Sequence, residues 1–227
     1  MRWPRDVSAI VTRRGTTDPK RARPQYAEEM HTHRNSRSSV PLGIKGETVV
    51  VGDHLALFYD TDEEFRNTLG FIEEGLHGTD HCILFGIASD TDRMLGVITE
   101  RNWDVERLMA NGRLSVLRPE ATSDATVTSV SRHFEHVFGQ GATFIRFLGN
   151  AAVGREGWPT EEEFYKLEAT VSAATLEQPC VAICMFDLRT ESAQTILKAA
   201  FEGHPVTIYR NCIRENPLYV PRAAGLY

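Results

Sequence analysis

The sequence lacks the patterns that most readily assign a catalytic chemistry. It contains no G-x-x-x-x-G-K-[ST] segment, which argues against a nucleotide triphosphatase, because a phosphate loop needs glycines whose backbone N–H groups can approach the anion. No serine stands in a G-x-S-x-G motif, and no cysteine and histidine are spaced as a nucleophile pair. These absences favour a protein without catalytic activity of its own.

Long apolar runs and a secretory signal are also missing. No apolar stretch approaches the roughly 20 residues that are needed to span a bilayer. Arg13, Arg14 and Lys20 interrupt the apolar residues near the N-terminus, which is untypical of a signal peptide. Only four cysteines occur in 227 residues. We therefore expect a cytoplasmic protein with reduced thiols and no membrane contact.

Charge divides the sequence into two parts. The formal net charge is −6, but residues 1–45 carry ten Lys/Arg and four Asp/Glu. This segment is rich in Arg, Ser, Thr and Pro and has no sustained apolar period, so it is predicted to be a disordered basic N-terminal extension. Residues 46–227 are predicted to form one domain. Because this domain is acidic, we expect no direct binding of nucleic acid by it.

Short apolar runs alternate with amphipathic stretches from residue 49 onward. The runs predicted as strands are 54–59, 81–86, 113–118, 143–149, 180–187 and 205–210. The stretches predicted as helices are 61–77, 90–101, 104–110, 123–138, a helix that follows Thr160, and 191–202. Most runs are apolar on both faces, as in parallel strands that are covered on both sides. The alternation predicts a three-layer α/β domain, with a mostly parallel sheet and helices on both faces.

Polar side chains at the strand ends form the candidate ligand site, because ligands of open α/β sheets bind at the carboxyl ends of the strands. The candidates are Tyr59, Asp60, Gly149, Asn150, Asp187 and Arg189, together with His204 at the start of the last strand. A tyrosine, a glycine and an uncharged amide suit a small, weakly polar ligand. A structural interpretation stays open for each: a core tyrosine, a helix cap, an Asp187–Arg189 ion pair and a hydrogen-bonded histidine.

The cysteines and histidines do not predict a metal site. Cys180 and Cys184 lie on one face of a predicted strand but about 13 Å apart, too far to share a metal or form a disulfide. They are interpreted as buried core thiols. His133 and His136 share a helical face, but no further ligands are suitably spaced. We therefore expect neither a metal nor a cofactor.

Several segments, in their order and spacing, resemble the MEDS domain, the methanogen/methylotroph sensory domain. They include GDHLALFYDTDEEF, QPCVAICMFDLR and GHPVTIYRN, and the resemblance covers about residues 50–220. The matching positions are His54, Phe58, Tyr59, Asp60, Glu64, Gly75, Cys82, Gly112, Gly149, Glu168, Cys184, Asp187, His204 and Pro205. The resemblance implies a RecA/KaiC-like fold with a degenerate nucleotide site, and a role in sensing small molecules, among them hydrocarbon derivatives.

The resemblance also implies a signalling partner. MEDS domains usually accompany a DNA-binding domain, a histidine kinase or a similar output module, so we expect this chain to act on a separate kinase or transcription regulator, with a homodimer left open. Asn150 is followed by AAVG where the family commonly has an acidic and an aromatic residue, which implies a different ligand preference. Two alternatives remain: an enzyme or nucleotide-binding protein of degenerate ATPase fold, and an interaction domain without a ligand.

Overall fold

The computed structural model describes residues 37–158, 160–217 and 219. Its strands are β1 (Ser39–Pro41), β2 (Thr48–Val50), β3 (His54–Tyr59), β4 (His81–Phe85), β5 (Leu114–Leu117), β6 (Ile145–Asn150), β7 (Cys180–Asp187), β8 (Val206–Tyr209) and β9 (Cys212–Glu215). β1 and β2 form a separate antiparallel hairpin, and the other seven form one sheet in the order β5-β4-β6-β7-β3-β8-β9. Strands β3 to β8 are parallel, and β9 pairs antiparallel with β8.

The helices are α1 (Asp62–Thr68), α2 (Gly70–His77), α3 (Ala88–Glu100), α4 (Val105–Ala110), α5 (Ser123–Gly139), α6 (Glu161–Thr175) and α7 (Ala193–Lys198), which continues as a π-helical turn (Ala199–Gly203). The Thr160 side chain caps α6 by accepting a hydrogen bond from the backbone of Glu163, the residue pair that predicts this helix from sequence. Within the described residues, no helix has the length and apolar character required to cross a bilayer.

The predicted architecture is confirmed: a mostly parallel sheet carries helices on both faces. Every residue of β3, β4, β6 and β7 is buried, which explains why these strands are apolar on both sides. Leu55, Leu57 and Tyr59 pack with α1, α2 and α3 on one face of the sheet. Ala56 and Phe58 point to the opposite face, which α5 and α6 cover.

One predicted helix, 61–77, is interrupted at Leu69, which ends α1 and begins α2. The hairpin explains the break, because Gly70 lies directly against Gly43. A Cβ atom placed on Gly70 would lie 2.2 Å from the carbonyl oxygen of Gly43. Strand β9 was also not predicted. Arg210 and Asn211 both adopt positive φ and form the two-residue loop that turns β8 back into β9.

The N-terminal hairpin extends the packed domain ahead of the predicted boundary at residue 46. Leu42 and Ile44 are buried in the core, and Arg37 donates hydrogen bonds to the carbonyl oxygens of Val51 and Leu176. The segment 37–45 therefore belongs to the domain rather than to the extension. Residues 1–36, the greater part of the predicted disordered extension, lie outside the described residues.

Candidate functional site

At the carboxyl edge of the sheet, the predicted site residues bond mainly to one another. The Tyr59 hydroxyl donates to Asn150 Oδ1 at 3.2 Å, and both side chains are buried. Burial, followed by the nearby Asp187 carboxylate, raises the pKa of Tyr59, so the phenol stays protonated and acts as a donor. Asp187 lies beside Tyr59 across the pairing of β3 with β7.

The ion pair that the sequence leaves open, Asp187 with Arg189, is present. Arg189 Nε and Nη2 donate to the two carboxylate oxygens of Asp187 at 2.8 and 2.7 Å. Burial raises the pKa of Asp187, but hydrogen bonds from Arg189 outweigh that effect and lower it overall. Arg189 and Arg93 both also donate to Asp62, at 3.1 and 2.8 Å. The charged side chains at the carboxyl edge are therefore paired with one another.

The turn between β3 and α1 uses two of its backbone donors internally. Asp60 N–H donates to Glu64 Oε2 at 2.9 Å, and Glu64 N–H donates to Thr61 Oγ1 at 3.1 Å. The backbone of Asp60 is thus part of the turn, and its carboxylate lies 3.8 Å from Arg210 Nη2. A phosphate loop needs the opposite arrangement, with free N–H groups converging on an anion.

Sequence reasoning missed Glu191, a buried carboxyl group near the same edge. Its Oε2 atom makes no hydrogen bond to any described residue. Burial raises the pKa of Glu191 to about 7, although the Arg155 guanidinium acts in the opposite direction. Arg155 itself bonds to the buried carboxylate of Asp90 at 2.5 Å. A glutamate in a short loop gives no sequence signal of such burial.

The other two predicted site residues lie elsewhere. A Cβ placed on Gly149 would contact Phe85 and Phe147, on the α5/α6 face and not on the face of Tyr59. His204 lies against His54, with ring centroids 4.3 Å apart. Because His54 begins β3 and Tyr59 ends it, His204 is roughly 16 Å from the carboxyl edge at the rise of an extended strand.

A cavity of about 50 Å³ lies between the α5/α6 layer and the sheet. Its wall is almost entirely apolar. The larger lining side chains are Phe85, Val127, Val130, Phe134, Phe147, Trp158, Phe164, Leu167 and Val171. Gly149, Ala151 and Ala182 form its floor, where small residues leave the space open. The polar or thiol-bearing residues of the lining are Glu168, Cys180, Cys184 and three threonines, Thr126, Thr170 and Thr175.

Glu168 and Cys184 belong to a buried cluster with His54 and His204. His54 Nε2 lies 3.2 Å from Cys184 Sγ and 3.8 Å from Glu168 Oε2. The Cys184 thiol donates to Glu168 Oε1 at 3.4 Å, and His204 Nε2 lies 2.6 Å from Glu168 Oε2. One potential metal-ligand atom from each residue lies within 4.8 Å of the others. Four distant parts of the chain thus converge on one point.

The cluster is assembled by the order of the strands. β7 carries Cys184 beside β3, which begins with His54, and β8 follows His204 on the other side of β3. Helix α6 packs over β3, β7 and the π-helical turn and adds Glu168. Burial, and then His204, lowers the pKa of His54 well below its usual range, so that its imidazole is neutral. Burial, and then Glu168, raises the pKa of Cys184 well above its usual range.

This cluster differs from the sequence-based expectation of no metal site. The spacing argument correctly separates Cys180 from Cys184, but it tests only pairs within one strand. A signal was nevertheless present, because His54, Glu168, Cys184 and His204 are all among the positions that match the MEDS domain.

These features define an α/β protein of RecA/KaiC-like fold whose first strand–helix turn is not a phosphate loop. A KaiC-like protein from the hyperthermophilic archaeon Pyrococcus horikoshii has a similar structure, with a TM-score of 0.50 and 14% sequence identity. The similarity covers 75% of this chain and 79% of that one, and it concerns the fold.

Within that class, the chain belongs to the MEDS family. The family described as the methanogen/methylotroph, DcmR sensory domain matches residues 53–205, which confirms the resemblance seen in the sequence. The matched range begins one residue before His54 and ends one residue after His204. No curated protein matches the chain at a significant level.

Proposed function

We propose that this sensory domain is a non-catalytic module that binds a small, mainly apolar molecule in the cavity beneath α5 and α6. The cavity is the observation that carries the proposal. A concave apolar space beside a few polar groups is the usual form of a small-molecule site. Gly149, one of the ligand-site residues predicted from sequence, forms part of its floor.

The size and lining of the cavity indicate the class of ligand. A buried water needs roughly 10–15 Å³ of such space, so about 50 Å³ admits a molecule of a few heavy atoms. A charged molecule would lose its hydration without gaining partners along the apolar wall. Small uncharged hydrocarbon derivatives therefore fit best, and Glu168 and Cys184 are among the few lining residues that could contact a polar atom of such a ligand.

The β3–α1 turn supports a role without nucleotide hydrolysis. The N–H groups of Asp60 and Glu64 already have partners, and Asp60, Asp62, Glu63 and Glu64 place four carboxylates there. We expect Mg-ATP to bind no more tightly than the millimolar range, measured by titration calorimetry. Micromolar affinity would favour the alternative of a nucleotide-binding protein instead.

Signal output is proposed to pass to a separate protein, a kinase or a transcription regulator. Helices α5 and α6 both line the cavity, and α5 has an exposed outer face. A ligand between them and the sheet can favour one helix position over another, provided that it binds the two states differently. The partner protein would detect the resulting change in helix position.

The cavity can be tested with dichloromethane as a probe, because it is uncharged and has three heavy atoms. In ¹³C-methyl NMR spectra, we expect saturable shifts for Val127, Val130 and Val171 but not for Leu55 on the opposite face. Gly149→Ala should weaken binding at least threefold. The added methyl fits at 3.5 Å from Phe85 and Phe147 and occupies cavity space.

Gly96→Ala is the matched control. Gly96 lies in α3, and a Cβ atom added to it would have no neighbouring atom within 4 Å, so the same change there should leave probe affinity unaltered. Equal affinity in the Gly149 and Gly96 variants, or shifts spread evenly over both faces of the sheet, would contradict binding in this cavity.

A further inference from the structure

The His54–Glu168–Cys184–His204 cluster has the donor set of a metal centre. A tetrahedral zinc ion with nitrogen, oxygen and sulfur ligands requires donor atoms about 3.3–3.6 Å apart. The observed separations are 3.2 Å for His54 Nε2 to Cys184 Sγ, 3.4 Å for Cys184 Sγ to Glu168 Oε1 and 3.8 Å for His54 Nε2 to Glu168 Oε2, so both carboxylate oxygens take part in these contacts. The fourth, 2.6 Å for His204 to Glu168, requires a small rotation of the carboxylate.

Both imidazoles are held so that Nε2 faces the centre of the cluster. His204 Nδ1 lies 3.0 Å from the carbonyl oxygen of Ala199, which can only accept, so Nδ1 carries the proton. Ser172 Oγ donates to the carbonyl oxygen of Gly203 at 3.3 Å and accepts from His54 Nδ1 at 2.8 Å. Outer hydrogen bonds of this kind fix the tautomer and orientation of metal-binding histidines.

The inner atoms, by contrast, have unused bonding capacity. Glu168 Oε2 and His204 Nε2 are buried and face each other at 2.6 Å, and neither makes a hydrogen bond to a further described residue. The His204 side chain is 0% exposed and that of Glu168 5%. Among the described residues, the ion pairs of Glu168 are with the two histidines alone. Burying a carboxylate without a cation or a full set of donors is costly.

We propose that His54 Nε2, His204 Nε2, Cys184 Sγ and the Glu168 carboxylate bind one divalent transition-metal ion, with Zn²⁺ as the best match. Two imidazoles and a thiolate disfavour Mg²⁺ and Ca²⁺, which prefer oxygen ligands. Binding replaces the thiol proton of Cys184, which leaves to solvent. One thiolate and one carboxylate then neutralise the two positive charges, so that the buried centre carries no net charge.

The local backbone is consistent with such a site. His204 follows the π-helical turn Ala199–Gly203, an irregular element that occurs frequently at functional sites. The Asn216 side chain donates to the carbonyl oxygens of Ala200, Phe201 and His204, which fixes the turn and the histidine after it. The turn therefore holds the fourth donor in place before any metal binds.

Metal binding can be measured on the full chain without a histidine tag, after removal of metal with a chelator. Competition against a chromophoric zinc chelator should give one site with a Kd below about 1 µM. Co²⁺ should produce the intense visible bands of a four-coordinate ion and a near-ultraviolet thiolate charge-transfer band. The Co²⁺ experiment is done on Cys212→Ser protein, because Cys212 is an exposed thiol outside the cluster.

Substitutions at two buried thiols of β7 provide the comparison. Cys184→Ala should weaken Zn²⁺ binding about 100-fold and remove the charge-transfer band, whereas Cys180→Ala, four residues away in the same strand, should retain both. The isosteric Glu168→Gln should weaken binding at least tenfold. Circular dichroism checks the fold of each variant, and the Co²⁺ spectrum of protein with Cys184 intact decides the question if a variant does not fold.

The proposal is wrong if the wild type binds no Zn²⁺ tighter than about 10 µM, if Co²⁺ gives no thiolate band, or if Cys184→Ala binds Zn²⁺ as tightly as Cys180→Ala does. Such results would make the cluster a buried hydrogen-bonded network. Gly96→Ala, which lies outside both the cluster and the cavity, should leave Zn²⁺ affinity unchanged. The Co²⁺ spectrum reports the metal site and the methyl shifts with dichloromethane report the ligand site, so the two proposals can fail separately.

Discussion

The two ends of the central strands differ in how their polar groups are satisfied. At the carboxyl edge, Tyr59 bonds to Asn150 and Asp187 bonds to Arg189, so most groups have partners within the protein. Toward the amino edge, on the α5/α6 face, Glu168 and His204 have buried atoms without hydrogen bonds. The rule that open α/β sheets bind ligands at their carboxyl ends locates a site by topology alone. Here, one such atom, Glu191 Oε2, lies near the carboxyl edge, whereas the pair formed by Glu168 Oε2 and His204 Nε2 lies toward the amino edge, where the metal site is proposed.

The amino edge should also contribute more to stability, because the hairpin covers it. We expect a chain that begins at residue 46 to lose about 4 kcal/mol relative to one that begins at residue 37. Burial of Leu42 and Ile44 contributes about 1.5–3 kcal/mol each. The corresponding fall in melting temperature is about 10 °C for a domain of this size, measured by calorimetry. A difference below about 2 °C would mean that the hairpin is dispensable, as the sequence-based boundary implies.

One buried arginine ties the hairpin to the sheet. Arg146, at the amino end of β6, donates to Asp80 Oδ2 and to the carbonyl oxygen of Pro41, each at 2.7 Å. Arg146→Met should reduce the free energy of unfolding by about 3 kcal/mol in urea denaturation, because it leaves buried acceptors unpaired.

Arg189→Met is the matched change at the carboxyl edge. The Arg189 side chain is 43% exposed, and exposed ion pairs contribute about 1 kcal/mol or less. If the two substitutions lowered the free energy of unfolding equally, the amino edge would not contribute more to stability than the carboxyl edge.

The sequence predicted the fold well because local patterns determine it. Strands β3 and β7 are continuous apolar runs that end at polar residues, and Thr160 with Glu163 marks the start of α6. The hairpin was missed because each of its strands has only three residues, too few to show a period.

The candidate site was harder to predict because its donors come from distant parts of the chain. His54 and His204 meet only because β7, β3 and β8 are neighbours in the sheet, and no spacing rule contains that order. The cavity depends on small residues such as Gly149 and Ala182 lying opposite α5 and α6. Which helices cover them is set by tertiary packing. The site prediction for Tyr59, Asp60, Asn150, Asp187 and Arg189 remains a prediction.

Glu191 offers a test at the carboxyl edge that depends on pH. Its pKa of about 7 in the folded protein exceeds that of an unfolded glutamate, so the folded state retains the proton longer. Its contribution is therefore most favourable at low pH and is lost as the pH rises through about 4.5–7. Glu191→Gln should be stabilising at pH 8 by about 1.5 kcal/mol, after allowance for solvent screening, and nearly neutral at pH 4.5.

The measurement is urea denaturation of both proteins between pH 4.5 and 8. The nearby charges of Arg155, Asp90 and Asp187 are common to both, so they cancel to first order in the difference. If the difference in unfolding free energy between the two proteins stays constant with pH, burial does not shift the pKa of Glu191.

The smallest expected effect decides between the two candidate ligand sites. Tyr59→Phe removes one buried hydrogen bond, to Asn150, and should cost about 0.5–1 kcal/mol of stability. Because Tyr59 points away from the cavity, its substitution should change the affinity for dichloromethane less than twofold, whereas Gly149→Ala changes it threefold or more. Binding that weakens tenfold in Tyr59→Phe but not in Gly149→Ala would place the ligand at the carboxyl edge, as the sequence predicted. The cavity would then be a packing defect, and the sheet would follow the general rule for its fold.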